Sequence, residues 1–203
     1  MVNTLNTYLR KIPVWALYVI GAAYPVWLLY QGLTGGLGVD PVKVMEHALG
    51  ERALQLLILG LAVTPLRQRA GLNLMKFRRA IGVVAFFYVF AHLLVWLVLD
   101  VQILSQIWAD ILKRPYITIG MAGFLLMIPL AVTSNNWSVR KLGPRWRKLH
   151  KLTYAACLLG GLHFVWLAKG FQLEPLIYMG IVIGLLATRL PKRNKRTPMP
   201  QKA

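Results

Sequence analysis

Apolar runs alternate with short charged stretches along the chain. The runs cover about residues 13–30, 53–66, 80–99, 116–133, 149–168 and 176–190. A helix needs about 20 predominantly apolar residues to cross the hydrocarbon core of a bilayer. Several runs approach that length, so the pattern predicts an all-α polytopic membrane bundle of six transmembrane helices. The second run is the shortest. Its helix begins polar after Asp40, a residue suited to cap it with Pro41 at the first helical position. That helix is expected to start at the interface and run inward. Pro129 falls inside the fourth run, where a proline is expected to kink a helix. Residues 100–114 read as a polar connection. Residues 1–190 read as one membrane domain, and 191–203 as a basic, proline-rich tail expected to be disordered.

Composition supports this and removes one class. Of 203 residues, 57% are hydrophobic and 15% charged, against roughly 25% charged in a typical soluble domain. A net charge of +18 would suggest nucleic acid in a soluble protein. Here the charges lie between apolar runs, so they speak of membrane topology, with the lipid bilayer as partner and no nucleic acid. The opening stretch has the basic start of a secretion signal. Its apolar part is too long and no small-residue cleavage site follows, so it is expected to stay as the first span. Tyr8, Trp15, Trp27 and Tyr30 fall near its ends, where aromatic belts form. The single cysteine, Cys157, permits no intrachain disulfide and reads as a small core residue.

With six spans, both termini share one side. That side holds 19 of the 24 basic residues: two before span one, five between spans two and three, six between four and five, and six from Arg189 onward. The other side holds Lys43, Arg52, Lys113, Arg114 and Lys169 together with all six acids. The positive-inside rule then makes both termini cytoplasmic.

Two of the four histidines, His92 and His163, sit deep in apolar runs. Ionisable groups inside a membrane are costly and mark function by default, and imidazole is a common ligand of haem iron. Both spans run outward, and both histidines fall ~7–11 Å below the outer surface at ~1.5 Å per residue. Matched depth on two helices is what a pair of axial haem ligands requires. The bland alternative is two packing histidines bonded to hydroxyl or backbone groups. His150 lies at the cytoplasmic end of span five, and span three offers Arg78 or Arg79 at its depth, not a histidine. Ideal helix geometry turns it roughly 140° away from His163. It is a candidate for another cofactor contact, a headgroup contact or a snorkelling side chain. His47 reads as a surface residue of the outer helix. Gly160, Gly161 and Gly82 accompany the proposed site as small residues that permit close approach. No H-E-x-x-H, G-x-S-x-G or phosphate-binding glycine loop is present.

Nearly the whole chain resembles the ferric-reductase-like transmembrane family, and within it the haem-binding membrane subunits of bacterial methionine sulfoxide reductase systems. The resemblance rests on GGLGVDPVK at 35–43, VTPL at 63–66, RRAIG at 78–82, AHLL around His92, KRPYITIG at 113–120, RKLGPRWRKLHKLTY at 140–154, the LHF-x-W stretch of His163 and EPLIY at 174–178. It implies b-type haem with His92 and His163 as axial ligands to the iron, and carries a cofactor-binding role onto His150 as well. It also implies an FMN. The implied partners are a periplasmic, molybdopterin-containing methionine sulfoxide reductase catalytic subunit and a cytoplasmic flavin reductase or quinol as donor. The chain departs from two-haem relatives, which carry paired histidines on both helices; span three here has one.

The reading is therefore an inner-membrane electron-transfer subunit, not itself the catalytic subunit. The competing readings are a small transporter that relays protons through its histidines and a haemless assembly factor. Few acids lie inside the spans, which counts against a proton path.

Overall fold

The computed structural model describes residues 2–168 and 171–190, and every regular element among them is a helix. The order is α1 (Val2–Lys11), α2 (Trp15–Leu33), α3 (Pro41–Arg69), α4 (Arg78–Leu94), α5 (Leu104–Lys113), α6 (Pro115–Val132), α7 (Asn136–Leu142), α8 (Pro144–Leu149), α9 (Leu152–Leu167) and α10 (Leu173–Ala187). The tail at 191–203 lies outside the described residues.

α3 begins as its sequence requires. The Asp40 carboxylate accepts from Lys43 N at 3.2 Å, and Pro41 occupies the first turn. The helix is longer than its apolar run suggests. Met45, Leu49, Ala53, Leu57, Leu61 and Pro65 are buried and recur every fourth residue. One ridge thus faces the bundle along the full length, and packing carries the helix through its polar start. α4 is preceded by a 3₁₀ turn at Met75–Phe77 and continues into a π-helical stretch, Val95–Val101, that buries Trp96. Such wide turns often occur at functional sites.

Two stretches that read as connections are folded. Residues 104–113 form α5, with exposed Leu104, Trp108 and Leu112 on one face and an Asp110–Arg114 ion pair at 3.2 Å. A helix with one exposed apolar stripe suits the plane of the membrane interface. The basic loop folds into α7 and α8. Asn135 caps α7 by accepting from Ser138 N at 2.8 Å, and Gly143 turns the chain at φ +50°, a conformation open to glycine. His150 and Lys151 keep right-handed helical dihedrals, so α8 leads directly into α9.

The most extensive packing is between α3 and α4 and between α6 and α9. These two helix pairs face each other, α10 packs on α9 and α3, and α2 lies outside α4 and α3. α2 buries only Leu28, so most of its apolar surface faces outward. Four helical stretches, Trp15–Leu33, Pro41–Arg69, Met75–Val101 and Pro115–Val132, are long and apolar enough to cross a membrane. α9 and α10, of 16 and 15 residues, are shorter. Pro129 lies in the last turn of α6.

Pro65 has no N–H, so the Leu61 carbonyl loses the donor that residue i+4 normally supplies. The Arg189 guanidinium, just past α10, donates to that oxygen at 2.6 Å. A second link ties the same helices. Gln55 Nε2 lies 2.7 Å from Glu51 Oε1 and 2.6 Å from the Tyr178 hydroxyl. Cys157 is fully buried with its thiol against the Leu57 carbonyl, the small core residue its sequence suggested.

Candidate functional site

His92 lies in the last turn of α4 and His163 near the end of α9. The fold brings the two together, as matched depth required: their ring centroids are 6.2 Å apart, with planes at 82°. Each ring is anchored from behind by a neighbouring helix. His92 Nδ1 lies 2.8 Å from the Glu46 carbonyl on α3, and His163 Nδ1 lies 2.7 Å from the Tyr116 carbonyl on α6. A carbonyl oxygen only accepts, so Nδ1–H is the donor in both and the Nε2 lone pair is free. Neither Nε2 makes a hydrogen bond among the described residues.

Both rings line a cavity of about 1040 Å³, at the large end of the ~300–1,000 Å³ of ligand sites. Leu57, Met127 and Ala156 line its apolar part. Five of the six acids, Asp40, Glu46, Glu51, Asp100 and Glu174, also line it, with Lys43 and Arg114. Five of the six acids that charge partition grouped together therefore share one cavity.

The separation of the two rings matches that of two imidazoles on one metal. With metal–imidazole bonds of about 2 Å and a nitrogen about 1 Å from its ring centre, two axial rings sit about 6 Å apart. Among the described residues no group of three or more His, Cys, Asp or Glu side chains could hold a metal ion. A metal between these rings needs its remaining ligands from a group that brings its own, and a macrocycle does so.

The other candidates lie elsewhere. His150 does not line the cavity. It stacks on Trp146 at 3.8 Å, and its Nε2 lies 3.0 Å from the Thr133 hydroxyl. That hydroxyl donates to the Pro129 carbonyl at 2.6 Å, so its oxygen accepts from His150 Nε2–H. His47 is exposed at the cavity edge, in keeping with its surface reading. Of the expected glycines, Gly160 lines the cavity with both histidines, while Gly82 and Gly161 do not. A Cβ at Gly82 would meet nothing within 4 Å, at Gly160 it would meet Leu54, and at Gly161 it would meet Met179. Gly50 and Gly120 are the ones that touch the imidazoles. Sequence offered no signal for them, because each partner is on another helix.

A frame of long apolar helices thus carries an imidazole pair on one shared cavity. The chain belongs to the family of ferric reductase like transmembrane components, whose model matches residues 49–161. That match takes in His92 and ends just before His163. Over 191 residues the chain is 53% identical to the protein-methionine-sulfoxide reductase heme-binding subunit MsrQ of Agrobacterium fabrum, covering 90% of this chain and 89% of that protein. It is 48% identical over 188 residues to the MsrQ subunit of Brucella anthropi, covering 92% and 86%. It is 50% identical over 207 residues to that of Brucella ovis, covering 98% and 94%.

Proposed function

We propose that this chain is the haem b-carrying membrane subunit of a methionine sulfoxide reductase system, with His92 and His163 as the axial ligands. The observation that carries the reading is the imidazole pair, 6.2 Å apart, each with its Nδ1 held by a carbonyl and its ring on the cavity. The relatives' name, heme-binding subunit of a protein-methionine-sulfoxide reductase, supports it.

Haem iron supplies a one-electron couple when bound. The residues do the rest. The carbonyls of Glu46 and Tyr116 fix the tautomer and the aim of each ring, as partners behind metal-bound histidines generally do. His92 and His163 would hold the iron through their free Nε2 atoms, and two protein ligands would favour electron transfer over dioxygen binding. Leu57, Met127 and Ala156 keep water from the inner part of the site.

The domain spans the inner membrane six times, with α9 and α10 as fifth and sixth spans and both termini cytoplasmic. The lead-in from α8 lengthens α9 toward the required span. Electrons come from a cytoplasmic flavin reductase or quinol at the basic end. They leave at the acid-lined mouth to a periplasmic molybdopterin-containing catalytic subunit that repairs oxidised methionines. The family resemblance adds an FMN to this proposal, and no residue motif of the chain assigns its place.

The test is substitution of each ligand. His92→Ala and His163→Ala should each abolish or grossly weaken haem binding while the protein still inserts, because apolar runs drive insertion. The readout is Soret absorbance per mole of membrane-extracted protein. Two variants that keep full haem and an unchanged low-spin spectrum would overturn the assignment. A protein with no chromophore at all would favour the proton-relay or assembly-factor readings.

A further inference from the structure

We infer that Gly50 and Gly120 are positioning residues, whose missing side chains let each histidine reach a helix carbonyl one turn earlier. The inference rests on the proposed axial roles of His92 and His163.

The two sites repeat one construction. Glu46 precedes Gly50 by four residues on α3, and Tyr116 precedes Gly120 by four on α6. In a helix the carbonyl of residue i already accepts from the N–H of i+4, and its second lone pair opens sideways. The Cα–Cβ bond tilts toward the helix N-terminus, so a side chain at i+4 hangs over that carbonyl. Glycine at i+4 leaves the approach open. His92 takes it at 2.8 Å from the Glu46 oxygen and His163 at 2.7 Å from the Tyr116 oxygen.

The space is used in full. A Cβ on Gly50 would lie 3.1 Å from His92 Nδ1 and 3.2 Å from its Cε1. A Cβ on Gly120 would lie 2.8 Å from His163 Nδ1 and 3.0 Å from its Cε1. Alanine at Gly120 forces the ring away, and alanine at Gly50 crowds it. Either change lengthens the Nδ1–H···O bond and turns the imidazole. Losing that bond makes the ring a poorer electron donor, which favours ferrous over ferric iron.

The experiment compares Gly50→Ala and Gly120→Ala with Gly21→Ala. Gly21 is a control because the nearest atoms to its Cβ would be those of Val84, a methyl at 2.6 Å, and not those of either histidine. Low-spin g-values, reduction midpoint and haem retention are measured on native membranes, so a variant that resists extraction still reports. Expected for Gly50→Ala and Gly120→Ala are displaced g-values, a more positive midpoint and haem affinity weaker by about 10–100-fold. The Gly120 variant should show the larger effect. Gly21→Ala should lose stability and keep the wild-type g-values and midpoint. If His92→Ala and His163→Ala lose haem while both glycine variants keep native g-values and midpoint, the positioning role is wrong and the ligand assignment stands. Haem loss in the glycine variants no greater than in Gly21→Ala, with native g-values, overturns it equally. If the histidine variants keep their haem, the ligand assignment itself fails.

Discussion

Replacing Arg189 by methionine removes the donor that Pro65 made necessary. The Leu61 oxygen, 2.6 Å from the guanidinium, is then left unpaired beside a proline that cannot replace it. A hydrogen bond from a charged donor is worth about 1.5–3 kcal/mol, and the stranded carbonyl costs about 1–3 kcal/mol. These describe one event from two sides, so Arg189→Met should destabilise the protein by about 2–3 kcal/mol in total. The proline offers an internal control. Pro65→Ala restores an N–H to the Leu61 carbonyl, after which the arginine has little left to supply. A double-mutant cycle should therefore give a coupling of about 1–2 kcal/mol, with Arg189→Met far milder when Pro65→Ala is already present. The assay is SDS-induced unfolding of purified protein in mixed micelles, followed by tryptophan fluorescence. Equal losses in both backgrounds would show that the arginine acts through something other than the Leu61 carbonyl, such as its position over the Tyr154 ring, 5.9 Å away.

Reporter fusions after Gly36, Asp110 and Gln172 should read periplasm, and fusions after Gln68, Asn136 and Arg193 cytoplasm; a cytoplasmic signal at Asp110 would break the six-span arrangement. His150→Ala should retain most haem and slow reduction from the cytoplasmic side, since its Nε2 is committed to Thr133 away from the cavity; haem loss as full as in His163→Ala would refute this. Imidazole planes at 82° should give the ferric protein a highly anisotropic low-spin resonance with large gmax, measured by electron paramagnetic resonance. A rhombic signal typical of parallel rings would contradict the geometry.

Much of the frame was legible because membrane spans announce themselves one residue at a time. The cap at Asp40, the buried thiol of Cys157 and the meeting of His92 with His163 all followed from local pattern or depth along a helix. What stayed hidden depends on partners far along the chain. The carbonyls behind the histidines lie 46 and 47 residues away, so no local window contains both members. Gly160, Gly161 and Gly82 drew notice by proximity in sequence, while Gly50 and Gly120 do the touching. α5 escaped for another reason. Its charged residues masked the spacing of Leu104, Trp108 and Leu112, which is helical once counted. The basic loop read as topology signal alone, although Asn135 and Gly143 are ordinary cap and turn residues that fold it into α7 and α8.

The two helix pairs are each tightly joined within and meet more sparingly across the cavity, with α10 strapping one flank. Each pair contributes one histidine, one carbonyl and one glycine. Under the proposed assignment, a single metal-bound group stitches the halves together like a staple across a seam. Its binding then enters the folding equilibrium directly, adding stability that grows with the logarithm of free cofactor. Cells short of haem would accumulate inserted chains whose halves part along the cavity while every helix stays intact. Cross-linking between α4 and α9, with and without added haem, would make that parting visible.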